Sequence, residues 1–440
     1  MATGSKLAPD LSNWNPEDPD YWDPKIAWRT LAVTTFSLTL AFCTWYLVSA
    51  IAPRLTAIGF ELSTAQLYWL TAMPGLAGGL LRLVYMFLPP IVGTRKLVGW
   101  SSLLMVIPMV GWFMLVRDLN SPYWLLLLFS FLTGIGGGVF SGYMPSTGYF
   151  FPKRMSGTAL GIQAGVGNFG VSLIQLLGPW IVGFGLLGLS GFAPQSTGDG
   201  SIWLHNVGIV LVPWTIIAAV LAFTMLKDVP VKANFRQQID IFGNKNTWFL
   251  TAIYLMTFGA FSGFAAQTPL LINNTFGADS QFAGMEGLPA GGTFAFLGPL
   301  IASAARVLFG PLCDRFGGAV WTFISGAGMT ISVAVCAMFL TPESPDEFWP
   351  FLAALLVLFL FAGIGNAGTF KQMPMIMGPR QAGGVIGFTA ATAAFGPFIV
   401  GVALSMVPAA GFFWGCMVFF AACTVLTWVM YARPKAPFPG

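Results

Sequence analysis

The chain has 440 residues, of which 56% are apolar and only 8% charged, with 16 Trp and 41 Phe. A water-soluble domain carries about 25% Asp, Glu, Lys and Arg, so most of the lateral surface here must face lipid, which excludes soluble enzymes and nucleic-acid binders. The net charge of +4 says little as a total, because 20 cations and 16 anions can be placed anywhere relative to a bilayer.

Residues 1–29 are polar and acidic, with Asp10, Glu17, Asp18, Asp20 and Asp23, and lack the basic start and short apolar run of a signal peptide. They read as a cytoplasmic tail. A spanning helix needs about 20 mostly apolar residues, and the charged and Pro/Gly-rich interruptions of the chain leave twelve such runs. They cover 30–53, 66–90, 97–116, 123–147, 156–189, 203–226, 247–275, 291–311, 319–340, 348–377, 382–407 and 410–432. The expected fold is therefore all-α and integral to the membrane, with twelve transmembrane helices.

Lys and Arg should gather in alternate connections if this division is right. Fifteen of the 20 cations do so, Lys25, Arg95, Lys153, Lys227, Lys232, Arg236, Arg380 and Arg433 among them, whereas Arg54 and Arg117 fall on the other side. Both termini are expected in the cytoplasm, with the protein in the bacterial inner membrane. The five cysteines, Cys43, Cys313, Cys336, Cys416 and Cys423, show no paired spacing and read as packing residues, with no metal site and no cofactor.

The connection 227–246 separates two sets of six spans, 30–226 and 247–432, and residues 433–440 form a second tail. An internal repeat supports the division. Gly134-Ile135-Gly136 is followed by Met144-Pro145, and Gly363-Ile364-Gly365 by Met373-Pro374 at identical spacing. Arg82 precedes Gly93 as Arg306 precedes Gly317, and Gly157 and Gly161 match Gly383 and Gly387. Nearly constant offsets imply two pseudo-symmetric six-helix halves, the plan of a major facilitator transporter.

Three cations, Arg82, Arg306 and Lys371, lie inside spans, at an insertion cost of about 8 to 10 kcal/mol together. No Asp or Glu lies in mid-span to pair with them. A mobile anion between the halves supplies the missing charge, so the substrate is expected to be an anion, with Arg82 and Arg306 as symmetry mates on either side of it. Lys371 has no matched cation, since the repeat places Gly142 there. Gly157, Gly161 and Gly165 form a small helix face with Gly167, Asn168 and Gly170 close behind, which serves close helix packing. The Asn168 amide needs a partner at that depth and could donate to an oxyanion. Tyr254, Phe258 and Phe261 share one face of the seventh span, and Phe140 lies in the fourth.

These residues resemble the NarK-type nitrate/nitrite porters over nearly the whole chain. The features that carry the resemblance are Trp14-Asn15-Pro16-Glu17-Asp18-Pro19, Leu81-Arg82, Phe150-Phe151-Pro152-Lys153, and above all the run from Gly157 to Gly170, which is similar to the family's nitrate signature. The resemblance implies that Arg82 and Arg306 clamp nitrate oxygens from opposite halves, that Phe140 and Phe258 stack on the planar ion, and that Tyr254, Asn168 and Gly165 complete the site. It also implies a conformational role for Gly161, Gly167 and the loop Asp314-Arg315-Phe316-Gly317, which resembles the superfamily's cytoplasmic locking motif. The second signature departs from the family pattern, with alanines between Gly387 and Gly396 and a following Pro397.

The reading that follows is nitrate import by alternating access. Two couplings are open: proton symport, favoured here with Lys371 as a desolvated proton carrier, and exchange of nitrate for nitrite, which is electroneutral and needs no titratable group. The expected partners are nitrate, nitrite, membrane lipid and, for symport, protons, with no nucleic acid and a monomer as the working unit. A passive anion channel would not need the repeat. A receptor would normally append a signalling domain. An enzyme has little to work with, since the one histidine, His205, reads as an interface residue.

Overall fold

The computed structural model describes residues 6–183, 185, 193–198, 200–230 and 240–438, apart from the side chains of Asp314 and 378–380. Among the described residues twelve helices are long and apolar enough to cross a membrane. They are α1 (Pro24–Trp45), α2 (Thr64–Tyr85), α3 (Thr94–Leu115), α4 (Tyr123–Gly148), α5 (Lys153–Ile181), α6 (Asn206–Met225), α7 (Lys245–Thr275), α8 (Gly291–Cys313), α9 (Gly318–Met338), α10 (Pro345–Met377), α11 (Gln381–Met406) and α12 (Ala409–Ala432). The residues expected to form the linker between the halves lie partly outside the described set, Lys232 and Arg236 included.

Two boundaries differ from the expected ones for identifiable reasons. Helix α1 starts at Pro24 rather than residue 30, because the Asp23 carboxylate accepts from the Lys25 N–H at 2.8 Å and proline suits the first helical position. No loop separates α10 from α11, since helical hydrogen bonding runs on from Phe348 to Ala393. The interruption comes instead at Ala394–Phe395, just before Pro397, which has no N–H to offer the preceding turn.

The repeat is visible in the packing. In each half one glycine of the matched motif lets two helices touch: a methyl added at Gly134 in α4 would overlap Ala77 of α2, and one at Gly363 in α10 would overlap the Ala302 carbonyl of α8. Gly93 and Gly317 sit at the starts of α3 and α9 with φ of 81° and 89°, a conformation that side chains with a Cβ resist. No disulfide joins any of the five cysteines.

The segment before α1 folds back on one end of the bundle. The Trp14 indole donates to the Tyr149 carbonyl at 3.1 Å and the Trp22 indole to the Phe150 carbonyl at 2.9 Å. Glu17 accepts from the Lys153 N–H at 2.8 Å, an acidic group at the positive end of α5. Leu11, Trp22, Leu31, Phe150, Phe151 and Ala159 form a small apolar cluster beneath it.

The two halves are bonded together at the end far from this segment. Tyr46 Oη donates to the Ser262 carbonyl at 3.0 Å, Gln175 Nε2 to the Ala265 carbonyl at 2.7 Å and Asn273 Nδ2 to the Pro53 carbonyl at 3.4 Å, and Thr71 bonds Gln267. At the near end, Gly157 and Gly161 of α5 and Gly383 of α11 are exposed, with space where a side chain would stand. The interface between the halves is thus closed at the far end and open at the end that carries the amino-terminal segment.

Candidate functional site

Arg82 lies in the last turn of α2 and is fully buried between the halves. Its Nε donates to the Gly137 carbonyl of α4 at 2.9 Å and its Nη1 to the Ala390 carbonyl of α11 at 2.8 Å, while Nη2 has no hydrogen-bond partner. Three rings surround the guanidinium carbon, with centroids 4.6 Å away for Phe140, 5.1 Å for Phe258 and 5.4 Å for Trp45. Such cation–π contacts are worth about 2 kcal/mol each when desolvated, which offsets part of the burial penalty without neutralising the charge.

Arg306 of α8 is 7% exposed, its guanidinium carbon 5.4 Å from the centroid of Phe370, and its Nη1 also lacks a partner. The two arginines therefore share a plan. Each projects from the second helix of its half onto a phenylalanine of the fourth, and the rings, Phe140 and Phe370, stand one position from strict correspondence in the repeat.

Helix α7 supplies the wall between them. A wide turn of π type, Leu255–Gly259, interrupts its regular winding, a feature often found at functional sites. The change brings Tyr254 and Phe258 into a nearly parallel stack, 5.5 Å apart at 8°. Phe258 reaches Arg82 of the opposite half, and Tyr254 lies 6.2 Å from Phe370 beside Arg306. The Tyr254 hydroxyl is buried with no partner, as is Asn168 Oδ1 in α5. The unbonded Arg82 Nη2, Arg306 Nη1 and Tyr254 hydroxyl, with no carboxylate paired to them among the described residues, suit an anion with several acceptor oxygens, whereas Asn168 Oδ1 is itself an acceptor.

The glycines named from the sequence divide into two faces. Gly165 closes on Val307 of α8, next to Arg306, and Gly161 one turn away faces the open gap. Gly167 and Gly170 instead pack inside the first half, against Leu38 and the Thr39 carbonyl of α1. Arg315 is exposed and lies over its neighbour Phe316, 5.2 Å from the ring centroid, with Gly317 setting the start of α9. The Asp314 side chain lies outside the described residues. Lys371 is exposed, so the desolvation that would fit it to carry protons is not found in this conformation. His205 is buried at the head of α6, immediately before the span, with its ring edge-on to Phe113 at 5.5 Å.

Two residues of the site had no signal that set them apart in the sequence. Trp45 and Phe370 each lie against one arginine, but they are two among 16 Trp and 41 Phe, and Phe370 stands beside the more conspicuous Lys371.

Twelve membrane-spanning helices in two matched halves around a central interface define a secondary transporter. The Major Facilitator Superfamily profile matches residues 34–401. Among curated proteins, the chain is 54% identical to the probable nitrate/nitrite antiporter NarK2 of Thermus thermophilus, over 98% of both chains, and 34% identical to the nitrate/nitrite transporter NarU of Escherichia coli K12, over 97% of this chain and 96% of that one. Among solved structures, an inward-facing, unoccupied bacterial homologue of the human lysosomal transporter Spinster matches at a TM-score of 0.67 and 17% identity, over 92% of this chain and 97% of that one. The chain belongs to the major facilitator superfamily and, within it, to the NarK-type nitrate/nitrite porters.

Proposed function

We propose that this protein carries nitrate and nitrite across the cytoplasmic membrane by alternating access, with both termini in the cytoplasm and the anion held between Arg82 and Arg306. The observation that carries the reading is the pair of buried guanidinium groups on opposite halves, each with an unbonded N–H and, among the described residues, neither with a carboxylate partner. A planar oxyanion supplies the acceptors and the negative charge, and its flat faces suit the Phe140 and Phe258 rings beside Arg82. The names of the relatives support nitrate and nitrite as that oxyanion. With cations gathered at the end that is open here, that end faces the cytoplasm by the positive-inside rule, and the conformation is inward-facing.

The coupling we favour is exchange of nitrate for nitrite. Uptake of a bare anion against a negative-inside potential costs about 2.3 kcal/mol per 100 mV, whereas exchange moves no net charge. It needs no proton site, in keeping with the exposed position of Lys371 and with the antiporter name of a relative 54% identical. Proton symport, the coupling the sequence favoured, is the competing reading. Labelled-nitrate uptake into proteoliposomes separates the two, with Arg82→Ala as the blank. Exchange requires internal nitrite and ignores an imposed inward proton gradient; uptake driven by the gradient with no internal nitrite would establish symport and make Lys371→Gln the next variant.

A further inference from the structure

We propose that Asn366 of α10 is a specificity-determining residue of the same anion site, donating its amide N–H to the bound oxyanion while its Oδ1 accepts from the Arg306 guanidinium. The inference deepens the reading above and rests on it.

Asn366 is 1% exposed in the middle of a membrane-spanning helix, and its Oδ1 has no hydrogen-bond partner. An unbonded amide oxygen at that depth costs about 1 to 3 kcal/mol, so it is retained only where something compensates. Its neighbours along the helix define what it faces. Four residues on, Phe370 lies against Arg306 and Tyr254; three residues back, Gly363 touches the Ala302 carbonyl, one helical turn before Arg306 in α8. Residues at these spacings share one side of a helix, so Asn366 stands between the α8 contact and the ring under Arg306.

The repeat gives an independent argument. The offset of 229 residues that aligns Gly134 with Gly363 places Asn366 opposite Gly137, whose carbonyl accepts from Arg82 Nε at 2.9 Å. The first half thus orients its arginine with a backbone acceptor. At the corresponding place the second half has a side-chain amide, which offers an acceptor to Arg306 and adds a donor that a carbonyl lacks. An anion with three oxygens can engage two guanidinium groups and this amide together, whereas a spherical halide has no fixed acceptor directions to match them.

The test is nitrate binding to the purified full-length protein in detergent, by calorimetry, with chloride as competitor. Asn366→Ala is expected to weaken nitrate binding by about tenfold or more, from the loss of a hydrogen bond to a charged group, and to leave the chloride inhibition constant unchanged. Nitrate affinity within twofold of wild type in a variant with unaltered thermal melting would overturn the proposal. Asn366→Asp gives a second readout in nearly the same shape: its carboxylate, paired with Arg306, is expected to abolish nitrate binding at pH 7.5 and at pH 5 alike. Wild-type binding by this variant at both values would also overturn it. Absence of nitrate binding in the wild-type protein would remove the reading of the whole site, a result distinguishable from a silent Asn366→Ala.

Discussion

Arg82 and Ala390 belong to opposite halves of the molecule, and the Arg82 Nη1 donates to the Ala390 carbonyl at 2.8 Å. The bond bridges the interface at the depth where the substrate is proposed to sit. Nε and Nη1 are satisfied by backbone carbonyls, whereas Nη2 is left unbonded. An entering oxyanion can take Nη2 first and compete for Nη1, so the same arginine links ligand binding to the contact between α2 and α11.

Replacing Arg82 by lysine keeps the charge and removes the fork. The variant loses the Nε bond to Gly137 and cannot meet two oxygens at once. Nitrate uptake by Arg82→Lys proteoliposomes is expected to fall by tenfold or more, on the basis of about 1.5 to 3 kcal/mol per charged hydrogen bond. Uptake near the wild-type rate would mean that only the charge matters.

Gly161 and Gly170 lie on the same helix and should respond oppositely to added bulk. Gly161 faces empty space in this conformation, so Gly161→Leu should melt as the wild type does, yet block closure of the open end and stop transport. Gly170 meets the Thr39 carbonyl, so Gly170→Ala should lower the melting temperature of the purified protein by several degrees. Full transport by Gly161→Leu would argue against rocking of α5 against α8.

The amino-terminal segment should stabilise the fold through its tryptophans. Trp22→Phe removes the bond to the Phe150 carbonyl while keeping most of the apolar contact, and should cost about 1 kcal/mol. Thermal melting checks it, and an unchanged midpoint would show that the segment is not part of the cooperative unit.

Burial and the nearby Arg117 hold His205 below its usual 6.5. The native state therefore keeps it neutral near pH 7, and the unfolded chain binds the proton more readily. Stability from this residue is present above about pH 6.5 and declines as the pH falls towards the depressed native value. Melting temperatures at pH 7 and pH 5 should differ less for His205→Gln than for the wild type; equal differences would exclude the residue as a source of acid sensitivity.

The fold was legible because lipid imposes long apolar runs and the positive-inside rule fixes their order, and Arg82 and Arg306 stood out because charge is rare at that depth. Helix ends were less legible. Asp23 capping α1 and Pro397 displacing the break in α11 are local hydrogen-bond effects that average hydropathy does not register. Least legible were contacts made across the chain. Trp14 and the residues from Phe150 to Lys153 read as separate motifs, and only the folded protein joins them, through the Tyr149 carbonyl and the Trp14 ring 5.5 Å from Phe150. Phe370 and Trp45 likewise gain their place from neighbours, not from spacing.

The central claim is that one anion bridges two arginines, and equilibrium nitrate binding to the wild type, Arg82→Ala and Arg306→Ala tests it most directly. The account predicts one saturable site in the wild type and its loss in each single variant, with folding retained. Binding that survives either substitution at wild-type affinity would contradict it.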